Sequence, residues 1–219
     1  MSSTAEGKST TRRYNSAGRQ RDAAVRQARV LEAARALFLE HGYGATSIDQ
    51  IADAAGTSPQ TVYATFGSKS GILRRVMDVA VGGDHEDIRL IERPEYGDAF
   101  AIADVRERID RLSQLTAMVH RRSGELVALV ERVAGSDPAV EELAAEIRGH
   151  QRSDGALMME TIPRDMFRRD LSPDQIIDIT ALLGGSMGWY DLVIRRGWTD
   201  EQYATWLSDA LWRTLMEEQ

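Results

Sequence analysis

An all-α fold is predicted by three observations. Apolar residues recur at spacings of three and four along most of the chain, the period of a helix face. Proline follows a capping residue at Ser58-Pro59, Asp137-Pro138 and Ser172-Pro173, the mark of a capped helix start. No segment alternates apolar and polar residues as a half-buried strand would, and no internal repeat is present. The expected architecture is an N-terminal three-helix unit followed by a larger helical unit, about nine helices in all.

Residues 1–20 are rich in Ser, Thr, Gly, Lys and Arg and have almost nothing to bury, so they read as a flexible arm, made basic by Arg12, Arg13, Arg19 and the adjoining Arg21. Residues 22–41 form the first helix, with Val30, Leu31, Ala34, Leu37 and Phe38 on one stripe and Gly42 or Gly44 ending it. Thr46 is the expected N-cap of the next helix, with Asp49 completing the cap. The stretch Ser47 to Phe66 then reads as two short helices around a tight turn. Ile48, Ile51, Ala52 and Ala55 share one side, and Gly56 supplies the left-handed residue that stops the first helix. Ser58 caps the second, Pro59 takes its first position, and Val62 and Phe66 face inward. Gln60, Thr61 and Tyr63 are left facing out. This is a helix-turn-helix layout within residues 21–68.

The larger unit spans residues 69–219. Ser68 caps a helix over 69–81, stopped by Gly82-Gly83, and the charged residues 84–97 read as a helix end or loop. Apolar spacing predicts a long helix near 98–120, a shorter one over 123–133, and one opened at Asp137-Pro138 and broken at Pro163. It also predicts one over 174–196, closed by Gly197, and a last one over 200–216 capped by Thr199.

The composition, 42% hydrophobic and 28% charged over 219 residues, is that of an ordinary globular protein. The absence of cysteine excludes disulfides and thiolate chemistry. No apolar run approaches the roughly 20 residues of a membrane span, and the basic N-terminus does not resemble a secretory signal, so a cytoplasmic protein with no membrane partner is expected. The net charge of −7 is unevenly spread. Residues 1–75 carry 11 basic and 6 acidic side chains, while the remainder carries 16 and 28. A basic third against an acidic remainder fits one part lying on a polyanion and another held off it.

Residues 46–73, TSIDQIADAAGTSPQTVYATFGSKSGIL, resemble the DNA-binding domain of the tetracycline-repressor (TetR) family of bacterial regulators. Gly56, Ser58, Thr61, Tyr63, Phe66, Lys69 and Leu73 carry the resemblance, which is strong over about residues 25–80. Thr57 departs from the small aliphatic residue usual at its position. The resemblance implies a homodimer, double-stranded operator DNA as partner, and a small-molecule effector that releases the DNA. It also implies phosphate contacts from Thr61, Tyr63 and Lys69. Thr46, at the other helix start, is a further expected phosphate donor, and Ser58 lies on the same surface. Base reading falls to Gln60, whose amide can pair two-fold with an adenine edge, with Pro59 and Thr57 against a thymine methyl.

For the effector, the soft or aromatic residues Met118, Met158, Met159, Phe167 and Trp189 are the candidates. For the dimer interface they are Leu183, Met187, Trp206, Leu207, Leu211 and Leu215, with Gly184, Gly185 and Gly188 allowing close backbone approach. A regulator answering to a protein partner, or to no effector, is the alternative. An enzyme is disfavoured, because His41, His85, His120 and His150 are scattered and no nucleophile elbow or phosphate loop is present. No cofactor and no metal site are expected.

Overall fold

The computed structural model describes residues 16–86 and 88–217. Arg12 and Arg13 of the expected arm lie outside the described residues. Helix α1, Ser16–His41, begins earlier than its apolar stripe and takes in Arg19 and Arg21, because alanine and arginine are strong helix formers. Val30, Leu31, Ala34 and Phe38 are buried along it, and Gly42 turns the chain at φ 84°.

Helix α2, Ile48–Ala55, is capped by Ser47 and not by the expected Thr46. Ser47 Oγ accepts from Gln50 N at 3.2 Å, and Gln50 Oε1 accepts from Ser47 N at 2.8 Å. Gly56 at φ 64° ends α2, and Thr57 N donates back to Ala52 O at 2.9 Å. Helix α3, Pro59–Phe66, starts on Ser58, and α4, Lys69–Gly82, on Ser68. Each serine accepts from an amide in the first turn of its helix.

The remaining helices are α5 Pro94–Phe100, α6 Val105–Val133, α7 Pro138–Glu160, α8 Pro173–Leu183, the single turn α9 Ser186–Trp189, and α10 Asp200–Leu215. Three expectations are corrected. Residues 94–100 are a helix rather than a loop, opened by Pro94 and held by the buried Tyr96 and Ala99. The two helices expected over 98–120 and 123–133 are one. Asp104 caps it, and the chain passes unbroken through His120 to Gly124, where His120 bonds to Gly184 O, Arg122 Nη2 to Val81 O and Ser123 to Val119 O. The helix expected over 174–196 is broken instead. Gly184 ends α8, α9 follows, and a π-helical stretch, Tyr190–Arg195, continues from it.

One core joins α1–α4 to α6 and α7, with Phe38, Ile51, Ile72 and Leu73 packed in the same cluster as Leu126, Val130 and Val140. A second core, around Trp189, Tyr203, Leu207 and Leu215, holds α10 against α6, α8 and α9. Phe167 and Met216 form an isolated antiparallel bridge that ties the chain after α7 to the end of α10. Among the described residues no helix is long and apolar enough to cross a membrane.

Candidate functional site

The outer face of α3 is built by local chemistry. Val62 is buried and Phe66 half-buried, so the helical period turns Gln60, Thr61 and Tyr63 outward. Ser58 and Thr61 hydroxyls lie 2.9 Å apart, and Thr65 Oγ1 donates to Thr61 O at 2.8 Å. Thr57 and Pro59 are half-buried beside them. Six of the eight expected DNA-facing residues, Thr57, Ser58, Pro59, Gln60, Thr61 and Tyr63, therefore share one turn and its approach.

Thr46 and Lys69 do not fit that role. Thr46 is 1% exposed, and its hydroxyl donates to Gly42 O at 2.8 Å and to Leu37 O at 3.1 Å. A hydroxyl so committed closes the loop before α2 and is turned away from any phosphate. Lys69 Nζ donates to Tyr43 O at 2.7 Å and Thr46 O at 2.9 Å, and sits 4.3 Å from the centre of the Tyr43 ring. Burial pushes the Lys69 ammonium below its usual range, with Asp137 opposing that shift. Tyr43 Oη in turn donates to Asp137 Oδ2 at 3.2 Å, and burial, with Asp137 beside it, pushes the phenol up to about 12. Asp137 caps α7. Lys69 thus belongs to a relay from α4 through the 42–46 loop to α7, built from residues far apart in sequence.

Further contacts join the two ends of the molecule. Arg74 on α4 pairs with Glu146 on α7. Arg122 Nη2 on α6 donates to Val81 O at 2.9 Å, in the last turn of α4. Beside it Arg93 and Asp84 form a paired ion contact at 2.7 and 3.0 Å.

A cavity of about 160 Å³ lies between α4, α5, α6, α7, α8 and α10. Of the effector candidates, Met158 and Met159 line it. The other effector candidates are placed elsewhere. Met118 packs against the Tyr96 cluster, Phe167 is buried at the bridge to Met216, and Trp189 is buried with its Nε1 donating to Asp200 Oδ1 at 2.9 Å. Sequence reasoning missed Tyr96, Ser113, Thr116, His120 and Ser123 in the cavity wall. The last four step along α6 at spacings of three and four, on the same face as Ile109 and Val127. A polar stripe on an otherwise apolar helix face was the available signal.

His120 is buried in this wall, and its hydrogen bonds define its tautomer. Gln151 Nε2 donates to Ser186 Oγ at 2.8 Å, the Ser186 hydroxyl donates to His120 Nδ1 at 3.1 Å, and His120 Nε2 donates to Gly184 O at 2.8 Å. Burial lowers its pKa to about 4, against weaker raising effects from Gly184 O and Asp200. Above pH 6.5 the ring is neutral folded and unfolded. Between pH 6.5 and 4 the unfolded chain takes up a proton that the folded chain refuses, so stability falls on acidification, by about 3 kcal/mol over the window. Below pH 4 this contribution changes no further. Urea unfolding at pH 7 and pH 4.5 is expected to show that loss in the wild type and a smaller one in His120→Gln. Equal losses would place the acid sensitivity elsewhere.

The expected dimer residues divide. Met187 is exposed, and Leu183 and Trp206 are half-buried. Leu207 and Leu211 are buried and line the cavity, and Leu215 is fully buried, so none of these three is an interface residue. Gly184 and Gly185 end α8 rather than flatten a helix face. Leu182 and Ile194 are exposed as well.

Residues 30–76 match the family described as bacterial regulatory proteins, tetR family. The chain is 42% identical over 65 residues to the HTH-type transcriptional repressor BdcR of Escherichia coli, and 44% identical over 48 residues to the repressor ComR of the same organism. Those matches span 30% and 22% of this chain, and 32% and 23% of the two repressors. The fold resembles a transcriptional regulator from Saccharomonospora viridis in complex with choline, with a TM-score of 0.66 and 24% identity over 88% of this chain and 98% of that one. It also resembles the ketosteroid transcriptional regulator KstR2 of Mycobacterium tuberculosis, with a TM-score of 0.59 and 22% identity over 88% and 96%. These relatives are transcriptional regulators, not enzymes. The segment 30–76, on α1–α4, thus belongs to the tetR family of bacterial regulatory proteins, and the chain shares the two-part helical fold of the solved regulators it resembles.

Proposed function

We propose that the protein is a cytoplasmic, homodimeric repressor that reads a pseudo-palindromic operator with α3 and leaves it when a small molecule occupies the cavity. The observation that carries this reading is the outward turn of α3, where Gln60, Thr61 and Tyr63 stand exposed on a helix fixed from behind by Val62 and Phe66. Gln60 then reads a base edge, while Thr61 and Tyr63 hold phosphates. The basic balance of residues 1–75 supplies the attraction.

Release follows from where the cavity lies. Val81, at the end of α4, lines it, and Arg122 binds the carbonyl of the same residue. A ligand that displaces this end of α4 moves the reading helices of both protomers away from the roughly 34–36 Å spacing of successive major grooves. A coupling of about 1–3 kcal/mol is enough. The choline bound by the S. viridis protein does not carry over readily. A trimethylammonium group prefers several aromatic faces, and among the described residues Tyr96 is the only Phe, Tyr or Trp in the wall of this cavity.

Tyr63 provides the test. It is 53% exposed, so Tyr63→Ala is expected to weaken operator binding about tenfold or more while the melting temperature stays within about 2 °C. Fluorescence anisotropy and thermal unfolding on the same sample decide it. A large drop in melting temperature would make the ring structural. For the dimer, the exposed Leu182, Met187 and Ile194 on α8 and the segment after it supply the apolar surface. Leu182→Glu is expected to give a folded monomer by light scattering. A persistent dimer would place the interface elsewhere.

A further inference from the structure

The polar groups of the cavity wall differ in whether they are already used. Thr116, Ser123 and Thr180 each donate to a backbone carbonyl one turn back in their own helix. His120, Gln151 and Ser186 satisfy one another and Gly184 O. Asp154 faces Arg89 at 3.4 Å. His150 is exposed, and two buried wall groups remain. Tyr96 Oη and Ser113 Oγ are buried without a hydrogen-bond partner, and the residues are 0% and 1% exposed. A third unpartnered hydroxyl, Tyr203 Oη, lies outside the wall.

The large majority of buried hydroxyls have a hydrogen-bond partner, and these two border a cavity that can supply one. Both can donate and accept, and both are neutral. The rest of the wall is largely apolar, from Ile109, Leu112, Val119, Met158, Leu207 and Leu211 among others. Among the described residues the wall has no lysine or arginine, His120 is held neutral, and His150 is exposed, so an anion finds no buried, fixed countercharge. A cation finds Asp154, which already faces Arg89 and whose carboxyl burial raises toward the neutral form. A cavity of ~150 Å³ takes a benzene-sized molecule.

We propose that the cavity binds a neutral, benzene-sized molecule bearing one hydroxyl or carbonyl group, a phenol or a small alcohol or ketone, with Tyr96 and Ser113 as its polar contacts. This rests on the reading of the cavity as the effector site, and it names the effector's chemical class. The apolar walls take the body of the ligand, and the two orphaned hydroxyls exchange hydrogen bonds with its one polar group.

Isothermal titration of the full chain with phenol, toluene, benzoate and choline tests the proposal. Phenol is expected to bind about tenfold or more tighter than toluene, the margin of one well-made hydrogen bond, with benzoate and choline weaker than either. Tyr96→Phe and Ser113→Ala preserve the packing and remove the orphaned groups. Each should bring phenol down to the level of toluene without lowering the melting temperature. Equal binding of phenol and toluene, tightest binding of benzoate or choline, or no binding by any of the four would overturn the assignment. Anisotropy on the DNA complex separates the two readings. Phenol that binds the free protein but leaves the complex intact upholds the ligand class and defeats the release mechanism.

Discussion

Replacing Lys69 by alanine is expected to cost about 2–4 kcal/mol of stability, because its two charged hydrogen bonds and its cation–ring contact are only partly offset by the cost of burying the ammonium. The ammonium holds two backbone carbonyls, of Tyr43 and Thr46, and covers the Tyr43 ring. Those carbonyls belong to the loop that sets the start of α2. Without Lys69 they face a gap with nothing to donate to them, and the 42–46 loop loses its tie to α4. In a chain of this size the melting temperature is expected to fall by about 5–15 °C. DNA affinity should fall with it, since α2 supports α3. Lys69→Met, which keeps most of the stem, should lose nearly as much. The pattern differs in kind from Tyr63→Ala, where affinity is lost and stability kept. Loss of affinity at unchanged melting temperature in Lys69→Ala would restore this residue to the phosphate surface.

The second large effect is expected at Gly124, in the middle of α6. A Cβ there would lie 2.5 Å from Cζ3 of Trp189 and nearer still to Cε3. The indole cannot swing aside cheaply. It is buried among Tyr203, Leu207 and their neighbours, and its Nε1 is bonded to Asp200. Gly124→Ala would recover about 1 kcal/mol of helix propensity against this clash. Gly124→Val recovers less and adds two methyl groups, so it should destabilise the fold by about 3 kcal/mol or more. Chemical denaturation with tryptophan fluorescence reports both the stability and the displaced ring. A Gly124→Val protein as stable as the wild type would mean that α9 rests only loosely on α6.

What the residues revealed beforehand follows from the range of the forces involved. Caps, glycine stops and proline starts act over three or four residues, so Gly56, Ser58-Pro59 and Ser68 were legible, and with them α2, α3 and the start of α4. Thr46 and Ser47 are adjacent capping residues, and only the turn geometry decided that Ser47 caps while Thr46 folds inward. The break expected within α6 rested on its polar residues. Their compensation comes from Gly184, 64 residues away, and from the face of Trp189, neither of which a local pattern contains. Lys69 was visible as a conspicuous cation, but its carbonyl partners lie 26 and 23 residues upstream. Leu207, Leu211 and Leu182 are all apolar at helical positions. The period alone does not say which faces the cavity and which faces solvent. Tyr96 was hidden by reading 84–97 as a loop, although Pro94 carried the start signal recognised elsewhere in the chain.

The central claim is that α3 reads DNA sequence, with Gln60 as its base reader. Selection of duplexes from a random-sequence pool tests this most directly, using the full-length wild type and Gln60→Ala in parallel. The wild type is expected to enrich an inverted repeat. Gln60→Ala should enrich the same repeat with base preference lost at one symmetric pair of positions, a discrimination of about 1–3 kcal/mol per site. Failure of the wild type to enrich any sequence, or an unchanged motif in the variant, would contradict the account.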